Sequence, residues 1–200
     1  MGYYIRVLGI YMDTIGVPEM EAALEGEGLK ATIIADSDDE PWSVLDVEAP
    51  NGSKLAQIEK NVIFKGCLAQ MELDEFRVLI REHQPLSAVE WLDHYFDRIK
   101  VVYAIRVLDG ALVDFNLETV NALKRAIWGK SGGLLQNDLE GFSNDEGYHI
   151  LWQFPDDITG DKYCAVLDNG VWVKFRMDLG DTFQRMAFWA GEVPQMAVRL

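Results

Sequence analysis

One hexapeptide occurs twice in this chain. Tyr3-Tyr-Ile-Arg-Val-Leu8 returns one hundred residues later as Tyr103-Ala-Ile-Arg-Val-Leu108, with five of six positions identical. Both copies are rich in aromatic and β-branched residues and read as strands. A strand repeated at that interval in a chain of 200 residues predicts two related halves, 1–100 and 101–200, each built on its own copy.

The segments after the two copies agree in kind. Pro18 opens a short acidic helix with Met20, Ala23 and Leu24 inward, proline being suited to a first turn where its missing N–H is not needed. After the second copy, Asn116 stands as the N-cap of a helix with Val120, Leu123 and Ile127 on one face. Glycines close both helices: Gly26 and Gly28 in one, Gly129, Gly132 and Gly133 in the other. Each half then carries an Asn-Gly pair between strand-like runs, Asn51-Gly52 after 42–49 and Asn169-Gly170 after 163–167. Such pairs signal hairpins because both corner positions call for positive φ. Helix ends each half. Segments 74–83 and 87–99 are separated by Pro85, the second with a Ser87…Glu90 capping box and Val89, Leu92, Phe96 and Ile99 inward. Asp181 caps a last helix, with Gln184 three residues on.

The order strand, helix, strands, hairpin, helix defines an α+β protein of two pseudo-repeats, with mostly antiparallel sheets and helices on one face. No Pro/Gly/Ser-rich linker lies near residue 100, so the halves pack together, as two domains or one compact domain.

The formal net charge is −15, and it is concentrated. Between Glu19 and Glu48 ten acidic residues face a single lysine, Lys30; between Leu134 and Asp161 seven acids face no Lys or Arg. Nucleic acid is disfavoured as a partner, because phosphate binding needs clustered basic residues. A basic protein or a cation suits this field better. The stretch 101–108, among the longest apolar runs, is strand-length and broken by Arg106, and the N-terminus has no basic segment leading into a long apolar one. No membrane span or signal peptide is expected, therefore, and Arg6 occupies the position where a myristoylation signal needs Ser or Thr. Cys67 and Cys164 have no metal-type spacing and read as buried thiols, not a disulfide, in a cytoplasmic protein.

Near-motifs fail on geometry. Gly129-Lys130-Ser131 has Lys124 where a phosphate-binding loop needs glycine, and it ends a helix instead of starting one. Gly141-Phe-Ser-Asn-Asp145 lacks the second glycine of a nucleophile elbow. His83, His94 and His149 form no zinc-binding pair, and Cys67 has no adjacent base. No catalytic residue, metal ligand or cofactor site is assigned. Trp42, Trp152 and Trp172 lie in strand patterns and read as core or half-buried face residues.

The segment 136–149 stands apart. It sets carboxylates, amides, a hydroxyl and an imidazole in a Gly-bracketed loop ahead of the strand Ile150-Leu-Trp-Gln-Phe154. Asp138, Glu140, Asp145, Glu146 and His149 are the candidate partner-binding residues, offering acceptors to Arg and Lys. The acidic cluster Asp36-Ser-Asp-Asp-Glu40 reads as a turn whose charge discourages edge pairing. The leading functional reading is an acidic cytoplasmic interaction protein that binds a basic partner, as an inhibitor, immunity protein or antitoxin would. The alternative is an enzyme or metal-dependent module on the 138–149 loop, with His149 as acid–base group or the carboxylates holding a hard cation such as Ca²⁺. A third is a subunit of a larger assembly. The sequence leaves the oligomeric state open.

Overall fold

A computed structural model describes residues 3–37, 42–113, 115–138 and 140–200; Asp38, Asp39 and Glu40 of the first acidic cluster lie outside them. Among the described residues the chain runs β1 (Tyr3–Gly9), α1 (Val17–Gly26), β2 (Thr32–Ala35), β3 (Val44–Glu48), β4 (Lys54–Val62), α2 (Leu68–Leu79), α3 (Leu86–Tyr95) and β5 (Val101–Val107). It continues through α4 (Leu117–Ser131), β6 (Leu134–Asn137), β7 (Gly141–Ser143), β8 (His149–Trp152), β9 (Asp161–Asp168), β10 (Val171–Asp178), α5 (Thr182–Trp189) and β11 (Val198–Arg199). The class is mixed α and β, with mostly antiparallel strand pairing. None of these helices is long and apolar enough to cross a membrane.

Two compact units divide the chain, and they interleave the sequence halves. The first holds the residues up to Ala69 together with Ile99–Gly133; the second holds Gln70–Arg98 and Leu134–Leu200.

In the first unit the strands lie in the order β1-β5-β4-β3-β2, every pair antiparallel. Strand periodicity of two places alternate residues on one face. Ile5 stands opposite Ile105, Ile105 opposite Ile58, and Ile58 opposite Leu45. All four are buried, so one apolar row crosses four strands. Helix α4 packs on β1, β5 and β4 with Val120, Leu123 and Ile127 buried, and α1 packs on α4 with Met20 and Leu24 buried. Each such side chain removed from water contributes about 1.5–3 kcal/mol. Beyond Ser131, Gly132 and Gly133 both take positive φ, and a Cβ on Gly133 would sit 1.9 Å from the Leu8 carbonyl oxygen. Only glycine lets the chain pass β1 that closely.

The two hexapeptide copies are neighbours here. β1 and β5 pair symmetrically about Ile5–Ile105, with Tyr3 opposite Val107 and Val7 opposite Tyr103. The connections leaving the two strands are not symmetric. From β1 the chain passes through α1 to β2, at the far edge of this unit, whereas from β5 it passes through α4 and leaves the unit for β6. A symmetric strand pair is thus present, but it does not by itself establish a duplicated half.

The second unit has the strand order β11-β10-β9-β8-β7-β6, antiparallel except for the parallel β8–β9 pair. Trp152, Phe154, Cys164, Val166, Phe175, Met177, Leu179 and Phe188 form its core. Phe76 on α2 and Phe96, just beyond α3, meet Phe142 of β7 as a second aromatic cluster.

Several local expectations need correction. Asn169 and Gly170 both have positive φ, as their two-residue hairpin requires, but at the first hairpin only Gly52 does. There Pro50, with its fixed φ, and Asn51 take the corners, and the Gly52 N–H donates to the Ala49 carbonyl. Ser87 is not a cap. Pro85 is extended and its carbonyl accepts from Ala88 and Val89, so α3 begins before Ser87, whose buried hydroxyl has no partner among the described residues. Asn116 does stand at the α4 N-cap position, yet its amide donates to the Gly110 carbonyl instead of accepting from the helix. Helix α2 starts at Leu68, six residues ahead of the expected position. Asp181 caps α5 as expected, accepting from the N–H groups of Phe183 and Gln184.

Candidate partner-binding site

All five candidate residues fall in the second unit, around the β6–β7 and β7–β8 connections. The β7–β8 turn is set by Asn144, a buried side chain whose Oδ1 accepts from the N–H groups of Glu146 (3.1 Å) and Tyr148 (2.9 Å). This is the local side-chain mimicry at which asparagine excels. It holds Asp145 and Glu146 out into solvent at the tip of the turn.

The carboxylates differ in how far they are already engaged. Glu140 accepts from Lys162 Nζ at 2.8 Å and from Asn137 Nδ2 at 3.0 Å. Glu146 is ion-paired with Lys174, and that hydrogen bond raises the pKa of the lysine. Each lysine also lies over an aromatic ring, Lys162 over Phe154 and Lys174 over Tyr148. Asp138 is half-buried. Asp145 is exposed and makes no ion pair with a Lys or Arg among the described residues.

His149 does not join them. It is 1% exposed, with its ring centroid 4.6 Å from that of Phe154 and 6.0 Å from that of Phe188. Its Nε2 has no hydrogen-bond partner among the described residues. Burial holds its pKa well below the usual imidazole range, with the charge of Lys162 adding to the effect, so the ring is neutral. Cys164 is its partner across the parallel β8–β9 pair, and burial pushes that thiol up to about 12. The imidazole is a core group, and a partner's surface cannot reach it. Its polar neighbours in sequence concealed this, although the apolar run after it is the signal of a buried strand.

Two surface features have no clear signal in the sequence. One is a cavity of about 420 Å³ lined by α5 and the 192–196 segment, including Phe183 and Met196. The other is a groove on α2 of about 490 Å³, lined by Glu75, Phe76, Val78, Leu79 and Glu82. Among the described residues no three His, Cys, Asp or Glu side chains form a group that could hold a metal ion. Cys67 and Cys164 are both free thiols.

Comparison with protein-family models, with curated proteins and with solved structures finds no match to this chain.

Proposed function

We propose that this chain is a non-enzymatic interaction protein whose acidic surface binds a basic protein partner, in the manner of an inhibitor, immunity protein or antitoxin. The observation that carries the reading is the Asn144-pinned turn, which fixes Asp145 and Glu146 in solvent before any partner arrives. Acceptors held in place lose little freedom on binding, so more of each charge-assisted contact survives as affinity. A net charge of −15 adds long-range attraction for a basic partner. Glu140 and Glu146 take part by exchanging Lys162 and Lys174 for a partner's cations. A cytoplasmic location belongs to the same reading and is supported by two free thiols.

The acid–base alternative is weakened by His149 itself. A general base has to lie within hydrogen-bond reach of its substrate, and this ring is buried against Phe154 and Phe188.

The experiment is affinity capture at low salt with the natural chain and with a variant carrying Asp138→Asn, Glu140→Gln, Asp145→Asn and Glu146→Gln. The expected result is a basic protein held by the natural chain and lost from a variant that still melts within a few degrees of it. Strong destabilisation with unchanged capture would make these carboxylates structural. Loss of a bound divalent ion would favour the metal-dependent alternative.

A further inference from the structure

Helix α2 is apolar on two sides. Leu73, Phe76 and Ile80 (in the 3₁₀ turn that continues the helix) face inward and are buried. Met71, Val78 and Leu79 lie on the outer side, with Val78 64% exposed. A helix that only closes a core has no use for that second apolar surface, and contiguous exposed apolar side chains with a polar rim mark interaction sites. Val78 and Leu79 line the groove together with Phe76.

The rim states what fits. Glu75 and Glu82 line the groove, about 12 Å apart along the axis of the helix and its 3₁₀ extension. Neither makes an ion pair with a Lys or Arg among the described residues, in contrast to Glu140 and Glu146. Nearby cations do not serve them. Arg77 is committed to Asp93 and Asp97, at 3.0 and 2.6 Å, and Arg81 does not line the groove. A second copy of this chain would bring the same carboxylates face to face, a like-charge contact that opposes association.

We propose that the α2 groove is the docking site for a basic amphipathic helix of the partner protein. An apolar side chain enters between Val78 and Leu79 over Phe76, and Lys or Arg residues two turns apart on the incoming helix meet Glu75 and Glu82. This is helix-in-groove recognition with charge setting the register. It rests on the acidic-binder reading and adds a second contact surface to it.

The test uses the whole chain and a fluorescent peptide of about 18 residues, long enough to form a helix, with leucine at helical spacing and lysine on the flanks. The same peptide with glutamate for lysine is the control. Binding is measured for the natural chain, for Val78→Ser with Leu79→Ser, for Glu75→Gln with Glu82→Gln, and for the four-charge loop variant. The four α2 positions are exposed, so their substitution leaves the core intact, and melting checks every variant. The groove predicts that the lysine peptide binds, that both α2 variants weaken it roughly tenfold or more, that the loop variant keeps it within about twofold, and that the glutamate peptide does not bind. Unchanged affinity in the α2 variants, equal binding of the two peptides, or no binding to the natural chain would overturn the groove. Loss confined to the loop variant would overturn it while leaving the acidic-binder reading standing. A salt-insensitive interaction, unaffected by either set of charge changes, would sink both. A dimer in sedimentation that Leu79→Ser dissociates would assign the groove to a second copy and overturn the proposal.

Discussion

Ile5 and Ile105, one hundred residues apart, are direct cross-strand partners at the centre of the β1–β5 pairing, and both are buried. Their side chains share one face of the first unit's sheet, and directly opposed residues of this kind have Cβ atoms about 4.5–5.5 Å apart. Truncating either to alanine should cost about 2–5 kcal/mol, and the double variant should depart from additivity by about 0.5 kcal/mol or more. Denaturant titration of the four proteins measures this. Strict additivity would mean that the two residues pack independently.

Gly133 passes close against the backbone of β1. Its φ of 87° and the 1.9 Å approach of a would-be Cβ to the Leu8 carbonyl leave no room for a side chain. Gly170, with a φ of 81°, has open space around it. Gly170→Ala should therefore cost only about 1–2 kcal/mol of backbone strain, while Gly133→Ala should cost clearly more, or prevent folding of the first unit. Equal losses would show that backbone conformation alone matters at both sites.

The sequence carried these elements unequally. The repeated hexapeptide, the Asn169-Gly170 hairpin and the Asp181 cap were legible because each is decided by local backbone chemistry. The partnership of Ile5 with Ile105 was not, since alternation reveals that a strand has a buried face and is silent about its neighbour. The site was legible only in part. Asp145 and Glu146 sit on a solvated turn as their composition implies, but His149 is buried because β8 is covered on both faces, a tertiary fact. The outer face of α2 was missed because, in sequence, Val78 and Leu79 look like ordinary core residues beside Phe76 and Ile80.

Stability should fall on mild acidification. The unfolded chain protonates His149 near pH 6.5, whereas burial keeps the folded imidazole neutral, its pKa lying well below that value. As pH drops through about 6.5 the unfolded state binds a proton that the folded state refuses, and stability declines by up to about 1.4 kcal/mol per pH unit until the folded pKa is reached. His83, also lowered by burial, adds in the same direction. Carboxylates with lowered pKa, such as Asp181, lose their contribution only below their usual range near pH 4. His149→Phe should flatten the slope between about pH 6.5 and 5, with His83→Gln having a smaller effect. Urea melts across that range decide it; an unchanged slope in His149→Phe would contradict the assignment.

The two thiols should behave differently. Cys164 is fully buried and its thiol is pushed up to about 12, while Cys67 is half-buried. A thiol reagent should modify Cys67 first in the native protein, and both cysteines in denaturant without reductant. Failure of both to react in denaturant would reveal a disulfide and contradict the free-thiol structure.

If carboxylate charge recognises a basic partner, the association rate constant must depend on ionic strength. With the captured partner in stopped flow, raising salt from about 20 to 500 mM should slow association roughly tenfold or more, because the Debye length shrinks from about 20 to 4 Å. Removing the charges at Asp138, Glu140, Asp145 and Glu146 should lower the rate at low salt and make its salt dependence shallower. An association rate that ignores salt, or a variant with the natural slope, would contradict recognition by these carboxylates.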